Sequence, residues 1–136
     1  MALQSKQIYV NLPVKNLKAS IDFFSAIGFA FNEQFTDENA TSMIIGDNIY
    51  AMLLSEARFK DFIDKPIADA KSAAQVIVCL SADSREQVDE IADKALAAGG
   101  RSYSEPQDHG FMYGRSFEDL DGHLWEIMWM DTAAVE

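Results

Sequence analysis

The sequence predicts an α+β domain built from two βαβββ repeats, and three observations carry that prediction. One order of elements, a strand, a helix and three strands, can be read twice along the 136 residues. Both helices run into glycine, at Gly28 and at Gly99-Gly100. The last two strands are joined by Asp119-Leu120-Asp121-Gly122, a hairpin signal between two apolar segments.

Repeat one is expected over 7–55. Ile8, Val10, Leu12 and Val14 alternate with Tyr9, Asn11 and Pro13, the period of a half-buried strand. Asn16 can cap a helix whose apolar stripe is Leu17, Ile21, Phe24 and Ile27, with Gly28 supplying the left-handed residue that ends it. Ala30 to Thr36, Thr41 to Gly46 and Ile49 to Ser55 read as strands, the last two joined by a tight turn at Gly46-Asp47-Asn48.

Repeat two is expected over 74–131. Ala74 to Ser81 reads as a strand with Val76, Val78 and Leu80 on one face. Ser84 and Gln87 form a capping-box pattern for a helix that faces inward through Val88, Ile91, Ala95 and Leu96. Arg101 to Pro106, Met112 to Glu118 and Leu124 to Met130 complete the set. An internal period of roughly 70 residues suggests duplication, with 56–73 as the linker. In that linker Arg58, Phe59, Phe62 and Ile63 suit a short amphipathic helix stopped by Pro66, or a lid or dimer arm.

A chain of 136 residues suits one domain, 1–136, with a core that needs no disulfide. The formal charge of -11 repels nucleic acid and anionic membrane, which leaves small molecules or proteins as partners. Cys79 is the only cysteine, in keeping with a reducing compartment. No apolar run approaches a membrane span or the core of a signal peptide, so a cytoplasmic protein is expected.

Glu126 is the residue that asks for an explanation. It stands inside the apolar run Leu124-Trp125-Glu126-Ile127-Met128, where a carboxylate must be paired, hydrogen-bonded or bound to a ligand. One reading is a buried carboxylate satisfied by Tyr9 or Gln75. The other is a general base for proton abstraction next to a carbonyl. Asp108-His109-Gly110 also has two readings. It is a turn in which Asp108 bonds its own backbone, or a loop that brings His109 to a ligand as acid or base. Arg115 shares parity with Tyr113 and Phe117, which suits a structural ion pair, and His123 is expected at the surface.

Val14 to Phe24, reading Val-Lys-Asn-Leu-Lys-Ala-Ser-Ile-Asp-Phe-Phe, and Asp119 to Glu126, reading Asp-Leu-Asp-Gly-His-Leu-Trp-Glu, together with the duplicated βαβββ order, resemble the vicinal oxygen chelate superfamily. This is the glyoxalase, bleomycin-resistance and extradiol-dioxygenase group. The resemblance implies a curled mixed sheet with a central cup, helices on its outer face, and a homodimer. It also implies four metal-ligand positions, which fall on Tyr9, Leu53, Ile77 and Glu126. Three of the four are substituted by residues that do not replace the usual ligands, so Glu126 alone would serve a divalent metal if one is bound.

Strand parity places Gln7 and Asn11 beside Tyr9, Gln75 and Cys79 beside Ile77, and Leu124 and Met128 beside Glu126. Such a mixed lining, to which Leu53 and Met112 are added, suits a small organic molecule held by shape and a few hydrogen bonds. The leading expectation is a glyoxalase-like enzyme with a degenerate metal site, acting on a small carbonyl or thiol-adduct substrate. Its catalytic residues are Glu126, His109 and Tyr9. The alternative is a metal-free protein that binds or sequesters small molecules, as bleomycin-resistance proteins do. A third class is a scaffold dimer that uses Phe59 and Phe62 as its interface.

Overall fold

The structure is a computed structural model and describes residues 2–135. The chain divides into two compact units, Met1–Ala68 and Asp69–Glu136, with the boundary inside the segment expected as a linker.

The first unit opens with strand β1 (Ile8–Val14) and helix α1 (Leu17–Ile27). Asn16 caps α1 by accepting from the Ala19 N–H at 3.0 Å, and Gly28, at φ 127°, ends it. The buried stripe is Leu17, Ser20, Phe23, Phe24 and Ile27, whereas Ile21 is only half-buried. The stripe therefore sits further round the helix than the expected Leu17, Ile21, Phe24, Ile27. Phe23, which packs edge-on to Phe24 with ring centroids 4.9 Å apart, belongs to this stripe.

Strand β2 is short (Ala30–Asn32), because the Asn32 side chain accepts from the Gln34 N–H at 3.0 Å and turns 33–35 into a single 3-10 turn. The strand expected to reach Thr36 therefore stops four residues early. Strands β3 (Ala40–Gly46) and β4 (Ile49–Ser55) follow, then a short helix α2 (Glu56–Lys60) capped by Ser55. The helix expected around Arg58 to Ile63 thus lies earlier and leaves Phe62 exposed beneath the Arg58 guanidinium, 4.7 Å from its ring.

In this sheet the order is β1-β4-β3-β2, with β1 parallel to β4 and the other pairs antiparallel. Leu12, Val14, Met43, Ala51 and Leu53 are buried on one face. That face meets the stripe of α1, and their burial together supplies the core of the unit.

The second unit repeats the pattern with β5 (Ile77–Ser81), α3 (Arg85–Ala97), β6 (Gln107–Asp108), β7 (Met112–Glu118) and β8 (Leu124–Met130), and closes on α4 (Thr132–Val135). Its sheet order is β5-β8-β7-β6, the same connectivity as in the first unit. The α+β class and the βαβββ repeat are thus both present.

Strand β5 begins at Ile77 rather than at Ala74, so Gln75 lies outside the ladder. The strand expected at Arg101 to Pro106 is reduced to one bridge between Arg101 and Glu118, followed by the two residues of β6. Pro106 has no N–H to give a ladder, and Ser102 Oγ donates to the Ser104 carbonyl at 3.0 Å. Ser84 caps α3 as expected, but Gln87 reaches back to the Asp83 N–H. The inward face of α3 is Val88, Ala92 and Ala95, and Leu96, expected there, is exposed. Two alanines let the helix lie close to the sheet, which turns Leu96 out to the flank.

Candidate functional site

Residues directly opposite in a ladder share a face, and neighbours along a strand point to opposite faces. In the second unit that rule sorts the sheet cleanly. Val78, Trp125 and Phe117 form one row, and Leu80, Ile127 and Arg115 the next, all on the side of α3. On the other face Cys79 stands opposite Glu126, and Glu126 opposite Ser116. A thiol, a carboxylate and a hydroxyl are thereby brought into one row by three different strands.

Two members of the row are linked. Cys79 Sγ donates to Glu126 Oε1 at 3.8 Å, and this thiol is the one hydrogen-bond partner of the half-buried Glu126 side chain among the described residues. Ser116 is buried and its Oγ lies 2.9 Å from Ser104 Oγ. Tyr103, from the irregular segment before β6, donates its hydroxyl to the Trp125 carbonyl at 3.3 Å. Burial pushes the Cys79 thiol up, and the Glu126 charge pushes it further. The Tyr103 phenol is raised by burial first and then by the same carboxylate. The Cys79 thiol and the Tyr103 phenol are thus held protonated; the thiol donates to Glu126 and the phenol to the Trp125 carbonyl.

Flanking rows on this face carry Ile77, Leu124 and Glu118 on one side, and Ser81, Met128 and Gly114 on the other, with Met112 and Met130 beyond. Cys79, Ile77, Met112 and Met128 therefore share the face of Glu126; strand parity predicts this for Met128, and the pairing adds the others. Gln75 does not join them through the ladder.

Arg115 belongs to the opposite face and bonds Asp89 at 3.1 Å and Asp93 at 2.9 Å, the structural ion pair expected of it. Asp108 accepts from the Gly110 N–H at 3.0 Å, so the Asp108-His109-Gly110 segment is a turn that bonds its own backbone. It is tied to α3 by Arg85, whose guanidinium reaches both Asp108 oxygens at 2.8 and 2.9 Å and holds that carboxyl well below the usual range. His109 stands exposed in this turn, outside the row of Glu126. His123, expected at the surface, is half-buried, with its N–H bonded to Asp119 Oδ1 at 3.0 Å.

In the first unit Tyr9 donates its hydroxyl to Gln7 and stacks on Tyr50, with ring centroids 5.2 Å apart and planes 12° from parallel. Asn11 stands next on the same face, opposite Met52. Leu53 does not share it: it pairs with Leu12, is fully buried, and faces α1. Because a strand alternates at every residue, an alignment one place out carries a side chain to the other face. The first-unit position that corresponds to Glu126 is Met52, since Glu126 pairs with Cys79 as Met52 pairs with Asn11, two residues along from Ile77 and Tyr9 respectively.

Sequence reasoning missed Ser116, Tyr103 and Gly114. The first was available from parity, once the Asp119-Gly122 turn fixes which residues face each other across the hairpin. Tyr103 sits outside any periodic segment, so nothing in the pattern announces it.

Among the described residues no three His, Cys, Asp or Glu side chains come together as metal ligands. Glu126 and Cys79 offer two donors of unlike softness, short of the roughly three suitable ligands that hold a catalytic divalent ion. The residues present do not fit such an ion.

A family model described as the Glyoxalase/Bleomycin resistance protein/Dioxygenase superfamily matches residues 6–127. No curated protein sequence matches the chain significantly. Among solved structures, hypothetical protein SA1046 from S. aureus is 26% identical with a TM-score of 0.78, over 93% of this chain and 94% of that one. Lactoylglutathione lyase from Agrobacterium tumefaciens is 15% identical with a TM-score of 0.68, over 95% and 96% of the two chains. The fosfomycin resistance protein FosX from Listeria monocytogenes is 18% identical with a TM-score of 0.65, over 93% and 94%. The last two likenesses are likenesses of fold.

Proposed function

The chain belongs to the glyoxalase/bleomycin resistance protein/dioxygenase superfamily, and from that premise we propose a glyoxalase-like enzyme that acts on a small carbonyl or thiol-adduct substrate, with Glu126 as its general base. The observation that carries this reading is the Glu126 carboxylate itself. It is half-buried, and its partner is a thiol at 3.8 Å, a weak donor that leaves most of its acceptor capacity for a ligand.

In the proposed step Glu126 takes the proton from a carbon next to a carbonyl. The C–H electrons move into the C–C bond as the carbonyl becomes an enolate, and the proton returns at a neighbouring atom. The outcome is an isomerisation that needs no oxidant or reductant. The Tyr103 and Ser116 hydroxyls lie on the same side as candidates to steady the oxygen.

A second reading, a protein that binds a small molecule without turning it over, is favoured by the Tyr9–Tyr50 stack, an aromatic pair on a sheet face with Tyr9 52% exposed. Assays on adducts of small 2-oxoaldehydes with thiols separate the two. A general base contributes about 10²–10⁴-fold, so Glu126→Gln should lose turnover on that scale while still binding substrate. Turnover unchanged in that variant overturns the base assignment, and binding with no turnover in the unaltered protein moves the reading to sequestration. The proposal takes the working form to be a cytoplasmic homodimer, on the resemblance and the single cysteine, and sedimentation of the purified protein checks the first part.

A further inference from the structure

The chain between Arg101 and Gln107 does not follow the strand beside it. Arg101 stands opposite Glu118 and Gln107 opposite Gly114, so the five residues 102–106 span what three residues, 115–117, cover on β7. Surplus residues of this kind interrupt a ladder and bow the chain out of it. No backbone N–H of 102–106 bonds to the sheet among the described residues, and every residue of this arch except Tyr103 is exposed.

The arch lies over one particular place. Ser104 Oγ is 2.9 Å from Ser116 Oγ, and Tyr103 crosses β7 to donate its hydroxyl to the Trp125 carbonyl of β8 at 3.3 Å. Both contacts fall on the Glu126 face, since Ser116 stands opposite Glu126 and the Glu126 charge reaches the Tyr103 phenol. Beneath the arch Ser116 is 6% exposed and Gly114 is buried, so the Ser116 end of the row is closed.

That closure is lightly held. Its two bonds to the sheet are between neutral groups, and the one from Tyr103 is longer than an ordinary O–H···O bond. Exposed backbone with few packed side chains is the profile of a segment that opens locally while the domain stays folded.

We infer that residues 102–106 form a flap, which when closed covers Ser116 and the neighbouring side of Glu126 and when open uncovers them for a small ligand. The surplus residues give it the slack to lift while the Arg101 bridge and β6 stay paired. As it lifts, the Tyr103 hydroxyl leaves the Trp125 carbonyl and is free to donate to a ligand oxygen. The service of the flap to turnover rests on the assignment of Glu126 as base; its movement does not.

The test therefore uses no substrate. In a Cys79→Ser background, Ser116→Cys places a thiol beneath the flap, and iodoacetamide, itself a small carbonyl compound, is the probe, with mass spectrometry following the label. The native protein should be labelled more slowly than the urea-unfolded chain, at a rate that stays nearly flat in urea well below the unfolding midpoint, because local opening exposes little surface. Tyr103→Phe, which keeps the ring, and Ser104→Ala should each speed labelling about fivefold, the effect of losing one hydroxyl hydrogen bond. Labelling as fast as in the unfolded chain, labelling that follows global unfolding in urea, or equal rates with and without the two hydroxyls overturns the flap. Either hydroxyl variant keeps the test open should the other fail to fold. Turnover lost or kept in Glu126→Gln judges the base separately from the flap.

Discussion

The Trp125 indole N–H donates to Asp119 Oδ2 at 3.0 Å, which ties the fully buried ring of β8 to the carboxylate that opens the β7–β8 turn. The other Asp119 oxygen accepts from the Asp121 and His123 backbone N–H groups, each at 3.0 Å. One buried side chain thus satisfies three donors and fixes the register in which Glu126 meets Ser116.

Asp119→Ala should therefore destabilise the protein beyond the loss of a surface turn. It strands a buried indole N–H and two turn amides, and one unsatisfied buried donor costs about 1–3 kcal/mol. Urea unfolding followed by tryptophan fluorescence measures this. A midpoint equal to that of the unaltered protein contradicts the anchoring role.

Gly122 closes the same turn, at φ 92°, and a Cβ there would stand 2.8 Å from the Lys71 backbone nitrogen and 2.9 Å from the Ala70 carbonyl carbon. Gly122→Ala meets both penalties. The left-handed φ alone costs a non-glycine residue about 1–3 kcal/mol, and backbone atoms on the 70–71 segment cannot swing aside as a side chain would. The melting temperature should fall by more than in Gly28→Ala, where no atom lies within 4 Å of the built Cβ and only the φ term operates. Equal losses would remove the steric part of the argument.

These two residues show why so much of the fold is legible in the sequence. Asp119, Gly122 and the capping pair Asn16 and Ser84 act through local geometry, so their types announce the turn and the helix starts directly. The segments 30–36 and 101–106 were less legible because side-chain bonds from Asn32 and Ser102 compete with the ladder, and strand propensity carries no record of that competition. In the candidate site, parity within one strand placed Met128 beside Glu126 and Cys79 beside Ile77, and the β5–β8 pairing brings the two sets together. Comparison between repeats placed Leu53 on the wrong face, because a one-residue error inverts a strand. The Ser116 and Tyr103 hydroxyls depend on pairing and on an irregular segment, neither of which a periodic reading reports.

The α3 side of the second sheet gives a pH dependence. The Tyr113 hydroxyl and then the Arg115 guanidinium hold the Asp89 carboxyl below its ordinary value of 3.8. A carboxyl lowered by folding contributes stability that is present above the ordinary value and is lost as pH falls through the lowered one. Stability should accordingly drop as pH falls below about 3.8, and Asp89→Asn should make that drop shallower. The Asp89 side chain is 49% exposed, so solvent screening limits its share to about 1 kcal/mol or less. Urea midpoints of the two proteins across that acid range test it. Parallel curves would mean that Asp89 is not linked to folding.

Cys79 supplies the sharpest check on the geometry around Glu126. Burial, then the Glu126 charge, raises its thiol above the ordinary value, so little thiolate exists near neutrality although the residue is exposed. Alkylation by iodoacetamide should be slower at neutral pH than that of a free thiol, and its pH profile should rise at higher pH. Glu126→Gln removes the charge but not the burial, so the profile should move part of the way back. A profile that ignores the substitution would separate Cys79 from Glu126 in solution and remove the row on which the site is built. A full return to the free-thiol profile would instead assign the whole effect to the carboxylate, with none left to burial.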